Sequence, residues 1–183
     1  MKENDIRSQA AREMPPHYQP LWKDLVFLLV KIGVIVLIFV LLSTFLYGIV
    51  RYYEPSMSPT VKDGDIVVFN RYIHEEGYHP REVIALVYDG ETQIRRVVAT
   101  AGDIVDINED GLVINGALQQ EPEIYSPTER YADGVSFPLT VPERHVFVLG
   151  DSRTNATDSR IYGCVSIGDT LGKVMTVIRS RGI

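Results

Sequence analysis

The stretch Tyr53-Glu54-Pro55-Ser56-Met57-Ser58-Pro59-Thr60 begins three residues after a long apolar run that ends at Val50. From Val26 to Val50 the chain is nearly all apolar, with Lys31 the one charge, and Ile32 to Val50 gives 19 residues without any. That run is long enough to cross a bilayer as a helix, with Lys31 snorkelling to the interface. A cleaved signal peptide fits poorly. The apolar core is too long, and Arg51-Tyr52-Tyr53-Glu54 is bulky and charged where small residues would mark a cleavage site. A buried core helix would need flanking elements that the polar N-terminal segment does not supply. The reading is an N-terminal segment 1–24, a transmembrane helix 25–50 and a domain of residues 51–183. Ser56, just beyond the span, is a candidate nucleophile at a membrane surface.

Charge sets the orientation. Lys2, Arg7, Arg12 and Lys23 precede the span, so the N-terminus is expected in the cytoplasm. Long C-terminal domains translocate largely regardless of charge, which places residues 51–183 outside the cytoplasm in a single-pass topology. Residues 51–183 hold 13 Lys+Arg against 20 Asp+Glu, a formal net of −7, and the whole chain has −6. An acidic exterior domain argues against nucleic acid as a partner. Pro15, Pro16 and Pro20 and the lack of apolar periodicity mark the first 20 residues as disordered. Cys164 is the one cysteine, which excludes an intramolecular disulfide. It reads as a small, partly buried residue rather than a reactive thiol. About 130 residues suffice for one packed core. No metal or other cofactor is expected.

The exterior domain reads as β-rich. Runs of β-branched and aromatic residues recur at 65–70, 82–88, 93–100, 104–108, 112–115, 145–149 and 171–178. Turn signals separate them: Lys62-Asp63-Gly64, Asp89-Gly90, Ala101-Gly102-Asp103 and Asn115-Gly116. Asn108 to Gly111 between two alternating runs predicts a tight hairpin. Residues 117–140, with Pro122, Pro127 and Pro138, read as a surface excursion. The expected fold class is mainly β: one N-terminal transmembrane helix followed by a coiled antiparallel β-sheet domain.

Three separated blocks then resemble type I signal peptidases, the membrane serine proteases that remove secretory signal peptides. The first is Ser56-Met57-Ser58-Pro59-Thr60. The second is Arg95-Arg96-Val97-Val98-Ala99-Thr100-Ala101-Gly102-Asp103, which resembles the family's Lys-Arg-Val-Ile-Gly-Leu-Pro-Gly-Asp. The third runs from Gly150-Asp151-Ser152-Arg153 to Asp158-Ser159-Arg160 and then Gly163. Order and approximate spacing agree over about residues 25–180. The resemblance implies that Ser56 is the nucleophile and that Met57 and Pro59 shape its loop and the substrate pocket. It also implies that Asp158, Ser159 and Arg160 form a supporting polar network, with Arg96 beside the base. The base in such enzymes is a neutral lysine whose pKa is lowered by desolvation. Backbone and neighbouring donors stabilise the oxyanion. The substrate lies extended against strand edges, with small side chains at the first and third positions before the cut.

Three positions depart from that pattern. Arg95 stands at the position of the lysine base, and a guanidinium cannot accept the serine proton. Ala156 stands where a serine helps to hold the lysine. Glu54, two residues before Ser56, stands near the expected oxyanion hole, where a carboxylate is repulsive unless it points away or pairs with Arg95. Other candidate bases are Lys62 and Lys173, the only lysines in the exterior domain, and His74, His79 and His145. Their local sequences read as solvated or structural.

Two functions follow. The first is a signal peptidase I that cleaves secreted preproteins after small residues, at Ala-x-Ala-type sites. The second is a catalytically weak or inactive member that keeps the peptide groove and acts as a chaperone in secretion or pilus assembly. The expected partners are secreted preproteins, the lipid bilayer, and components of the secretion translocon or of pilus assembly.

Overall fold

The computed structural model describes residues 21–72 and 77–179. The expected disordered start of the chain, its basic residues Lys2, Arg7 and Arg12, and His74 lie outside the described residues. The chain divides between Ser43 and Thr44 into two compact units.

Helix α1 (Leu21–Leu46), all but its last three residues in the first unit, is 26 residues long, roughly 39 Å at 1.5 Å per residue. Val26, Phe27, Leu28 and Leu29 are all exposed. Four successive residues span the whole helix circumference, so α1 is apolar on every side and has no polar face for water. Its length and composition fit a membrane anchor. Near its start, the Lys23 ammonium lies 5.8 Å from the Trp22 ring, an aromatic–cation pairing suited to a membrane interface.

The helix starts earlier and stops earlier than the 25–50 expected from hydropathy. Tyr47 to Val50 leave the helix and form β1 (Tyr47–Arg51). An apolar run alone does not distinguish strand from helix. Here Gly48 ends helical propensity, and β1 pairs with β2 (Ile66–Asn70), Gly48 opposite Phe69. A Cβ on Gly48 would overlap the Phe69 ring, so glycine at 48 is what lets the ring lie across the strand.

The second unit is mainly antiparallel β, as expected. Its strands are β1, β2, β3 (Val83–Tyr88), β4 (Glu91–Thr100), β5 (Ile104–Asn108), β6 (Gly111–Ile114), β7 (Ala117–Leu118), β8 (Leu139–Thr140), β9 (His145–Leu149), β10 (Val165–Ser166) and β11 (Thr170–Ile178). One sheet runs β1-β2-β11-β3-β4-β9-β10 and the other β7-β6-β5-β8. A single helical turn, α2 (Ser159–Tyr162), interrupts the β-structure. The expected hairpin forms: Asn108 faces Gly111, and Asn108 Oδ1 accepts from Asp110 N at 2.9 Å. The short strands β7, β8 and β10 were not foreseen, because two residues carry no period.

Ten-residue β4 joins three core clusters. Ile94 packs with Tyr52, Met57, Val61, Val67 and Phe69, Val97 with Ile84, Leu86 and Val148, and Ala99 with Val105, Phe147 and Leu149. A register shift between Val97 and Ala99 bends β4 so that one strand reaches all three. Residues 117–140 are more than a surface excursion. Thr128 is buried, and Glu121 accepts from both terminal nitrogens of buried Arg153, at 2.7 and 2.5 Å.

Cys164 packs half-buried against the cluster around Phe147, and burial pushes its thiol up to about 11. From an ordinary 9, that leaves roughly 100-fold less thiolate near neutral pH. Alkylation by iodoacetamide at pH 8 is therefore expected to be slow in the folded protein and to accelerate by about that factor on unfolding. Equal rates in the two states would contradict the burial. A second expectation concerns Gly48→Ala. The added methyl meets Phe69, so the variant should lose about 1–3 kcal/mol in denaturant unfolding, and Phe69→Leu in the same chain should recover part of it.

Candidate active site

The loop bearing Ser56 is built from its neighbours. Tyr52 is fixed at both backbone groups, its N–H donating to Asp65 O at 2.8 Å and its carbonyl accepting from Gly64 N at 2.7 Å. Glu54 is extended, and Pro55–Met57 form a 3-10 turn with proline at its start, where a missing N–H costs nothing. Met57 has no exposed surface and is a core residue. It shapes the loop by packing, whereas Pro59 is exposed and lines a cleft with Ser58, Tyr125, Ser126, Asp151 and Ser152. The Ser56 carbonyl accepts from Ser152 N at 2.8 Å, which ties the loop to the segment after β9. The tie needs close approach at Gly150: a Cβ there would strike Ala156 Cβ and come within 2.7 Å of the Ser56 carbonyl oxygen.

Arg95 enters from the middle of β4, opposite Ile84 of β3, and has no exposed surface. One terminal nitrogen donates to Ser56 Oγ at 2.7 Å, to Ile94 O at 2.7 Å and to Glu54 Oε2 at 3.1 Å. The other donates to Glu54 Oε1 and to Thr157 O, both at 2.8 Å, and Nε donates to Thr157 O at 3.0 Å. Burial alone would lower the Arg95 pKa, but the bonds and charge of Glu54 raise it above its ordinary value. The site therefore holds a permanent cation at the serine oxygen. The carboxylate of Glu54 pairs with Arg95, which was one of the two dispositions its position allowed.

Tyr52 is a member of this cluster that the sequence did not signal. Its hydroxyl lies 2.7 Å from Ser56 Oγ and donates to Glu54 Oε2 at 3.4 Å. Burial pushes the phenol up to about 12. Tyr162, also raised by burial, stacks on Tyr88 with ring centroids 4.2 Å apart. No motif announces Tyr52, and its only signal is a spacing of four residues before the serine.

Period-two alternation turns Arg96 away from Arg95. Arg96 makes a paired contact with Asp151, Nε to Oδ1 at 2.7 Å and a terminal nitrogen to Oδ2 at 2.6 Å, and Thr60 Oγ1 donates to the same Oδ2 at 2.5 Å. Asp158, Ser159 and Arg160 form a buried network. Asp158 caps α2, accepting from Arg160 N at 3.1 Å and from Gly150 N at 3.0 Å. Its carboxylate also takes Arg160 Nε and a terminal nitrogen, both at 2.9 Å. Ser159 Oγ accepts from Val148 N at 2.9 Å, and Arg160 donates to Arg153 O at 2.6 Å.

The alternative bases stand elsewhere. Lys62 and His79 are exposed, Lys173 pairs with Glu82 at 2.5 Å, and His145 Nδ1 meets Glu143 O at 2.8 Å. Among the described residues no cluster of His, Cys, Asp and Glu is arranged to hold a metal ion.

Comparison with known proteins agrees with the motifs. The family described as "Signal peptidase, peptidase S26" matches residues 25–178. Signal peptidase I T of Bacillus subtilis (strain 168) is 33% identical over 140 residues, covering 70% of this chain and 72% of that protein. Signal peptidase I of Bacillus caldolyticus is 30% identical over 131 residues, 65% of this chain and 72% of that one. Signal peptidase IB of Staphylococcus aureus (strain N315) is 26% identical over 168 residues, with coverages of 83% and 88%. A crystal structure of a signal peptidase I from Enterococcus faecalis V583 covers 57% of this chain and 100% of its own at 28% identity, with a TM-score of 0.46. On the family match and the two Bacillus relatives, the chain belongs to the type I signal peptidases, a family of serine endopeptidases.

Proposed function

We propose that this chain is a membrane-anchored signal peptidase that cleaves secreted preproteins after small residues, at Ala-x-Ala-type sites, with Ser56 as nucleophile. The N-terminus lies in the cytoplasm and residues 51–183 lie outside it. The observation that carries the proposal is the placement of Ser56 Oγ. It is buried and held at 2.7 Å by both a charged side chain, Arg95, and a phenol, Tyr52, in a loop stapled to the segment after β9. A serine set against a buried cation has its anionic form stabilised. Ser56 Oγ attacks the scissile carbonyl and forms an acyl-enzyme, and the Arg95 guanidinium offsets the charge that develops at Oγ.

Ser56 has no exposed surface, whereas the Glu54 side chain is 34% exposed, the most open member of the cluster. A substrate carbonyl therefore reaches Oγ from the Glu54 side, after an opening of this loop. Arg96 with Asp151, and Asp158 with Arg160, hold the surrounding loops in register while it opens. Met57 and Pro59 define the turn and its cleft.

Ser56→Ala should lower Ala-x-Ala peptide cleavage by at least ~10³-fold. Because Oγ is buried and bonded, the variant should also lose about 1–3 kcal/mol of stability. Cleavage at the wild-type rate in this variant would remove Ser56 from the mechanism and assign the cleavage to another residue or to a contaminating protease. Arg95→Lys tests the base position. A lysine amine there faces Glu54 and the Ile94 and Thr157 carbonyls, all of which favour the ammonium form, so the single change should alter the rate by less than ~3-fold. Adding Glu54→Gly and Ala156→Ser removes the carboxylate and restores a hydroxyl. The triple variant should exceed wild type by at least ~10-fold, with gains that do not add. A folded triple variant no faster than the Glu54→Gly, Ala156→Ser double variant would show that residue 95 is not the base position.

A further inference from the structure

The cluster around Ser56 has a fixed hydrogen-bond direction. A guanidinium only donates, and the carboxylate of an ion pair only accepts. Arg95 stands at one end, donating to Ser56 Oγ at 2.7 Å, and Glu54 stands at the other. Two hydroxyls lie between, Ser56 Oγ and Tyr52 Oη, 2.7 Å apart, and either one alone could donate to the other. Glu54 Oε2 lies 3.4 Å from Tyr52 Oη and accepts from it, a long contact beside the 2.7 Å one between the hydroxyls. In the order Arg95 to Ser56 to Tyr52 to Glu54 both hydroxyl protons have an acceptor, whereas a Tyr52 proton turned to Ser56 would leave the Ser56 proton with none among these groups. In that order every proton points away from Arg95. That is the direction in which a proton must travel to free Oγ for attack.

We infer that Tyr52 and Glu54 take the place of the missing lysine, Tyr52 relaying the Ser56 proton to Glu54 while Arg95 stabilises the charge developing on Oγ. The inference rests on Ser56 being the nucleophile. In acylation the Oγ proton passes to Tyr52 Oη as the phenolic proton passes to Glu54 Oε2. The Oγ electron pair forms the bond to the carbonyl carbon, and the carbonyl π pair moves onto its oxygen. On collapse the carbonyl re-forms and the C–N bond breaks. The departing amine nitrogen takes a proton from Tyr52, which recovers its own from Glu54. Water then attacks the ester carbonyl as its proton passes into the same relay; the carbonyl re-forms, the C–Oγ bond breaks to release the carboxylic acid, and Oγ takes a proton back from Tyr52.

Tyr52 suits this role because it is a conduit and not itself the base. It is 2% exposed, anchored through Asp65 and Gly64, and packed among Met57, Val61 and Phe69. With its phenol held up at about 12, it remains protonated at working pH and always has a proton to pass on. Both oxygens of the final acceptor are already engaged by Arg95, so the incoming proton has to displace part of an ion pair and turnover by this route is slow.

The test uses the full-length protein in detergent with an Ala-x-Ala peptide and Ser56→Ala as blank. Tyr52→Phe keeps the ring and removes the hydroxyl, and Glu54→Gln keeps the shape and removes the charge. Each should lower kcat by about 10²-fold or more with little change in KM. In mixtures of H2O and D2O the wild-type rate should curve downward with deuterium fraction, because two protons move together, and the residual Tyr52→Phe rate should fall on a straight line. A merely structural tyrosine would not change that curvature. Wild-type kcat in both Tyr52→Phe and Glu54→Gln, or a linear wild-type isotope plot, would overturn the relay. If either variant fails to fold, the wild-type isotope plot and the other variant decide. Loss of cleavage in Ser56→Ala together with full rates in the relay variants would sink the relay alone. Full cleavage in Ser56→Ala, or none in wild type, would sink both readings.

Discussion

A full positive charge at Arg95, with no exposed surface, has to be matched locally, because an uncompensated buried ion costs several kcal/mol. The match comes from three places in the chain. Glu54 supplies the carboxylate, Ile94 and Thr157 supply carbonyls, and Ser56 supplies a hydroxyl oxygen. Those groups lie before, within and after the central strand β4. Satisfying one guanidinium therefore brings the serine loop and the 150–157 segment together over the strand. The hydrogen bond from Ser152 N to Ser56 O and the close approach at Gly150 then hold that arrangement from a second direction.

Two more buried arginines repeat the device. Arg153 engages Glu121, and Arg160 engages Asp158. Each pairs a guanidinium with a carboxylate and fills its remaining donors with backbone carbonyls or a hydroxyl: Arg153 with Gly150 O and Thr128, Arg160 with Arg153 O and Glu129 O. Among the described residues no buried side-chain nitrogen or oxygen lacks a partner. Such networks add little net stability against well-packed apolar residues, but a wrong loop position leaves a charge stranded. They specify where the loops go, as a site made of loops requires.

Much of this was legible in the residues themselves. Alternation and turn signals placed β5 and β9 at their observed bounds and β2, β3, β4, β6 and β11 within a residue or two. The motif around Ser56 and the resemblance at Arg95 pointed to two side chains that meet at 2.7 Å, and Glu54 stood as a possible partner for Arg95, whereas the turn of Arg96 towards Asp151 follows only from the strand. The end of the helix was not legible, because Tyr47 to Val50 are as apolar as the residues before them and only their pairing with β2 makes them a strand. Tyr52 was not legible either. Its contact with Ser56 depends on the turn at Pro55–Met57, which brings a side chain four residues away back onto Oγ. The packing of residues 117–140 rests on single long-range contacts, such as Glu121 with Arg153, that no local pattern encodes.

The pairing of Glu54 with Arg95 also constrains the order in which this sequence could have changed. Removing the carboxylate first would strand a buried guanidinium, a loss of about 3–5 kcal/mol that few proteins tolerate. Exchanging the guanidinium for an amine first leaves a pair that still neutralises itself. The cost of a change at residue 54 is therefore set by what stands at residue 95, and the two positions can be exchanged together at less cost than the acidic one alone.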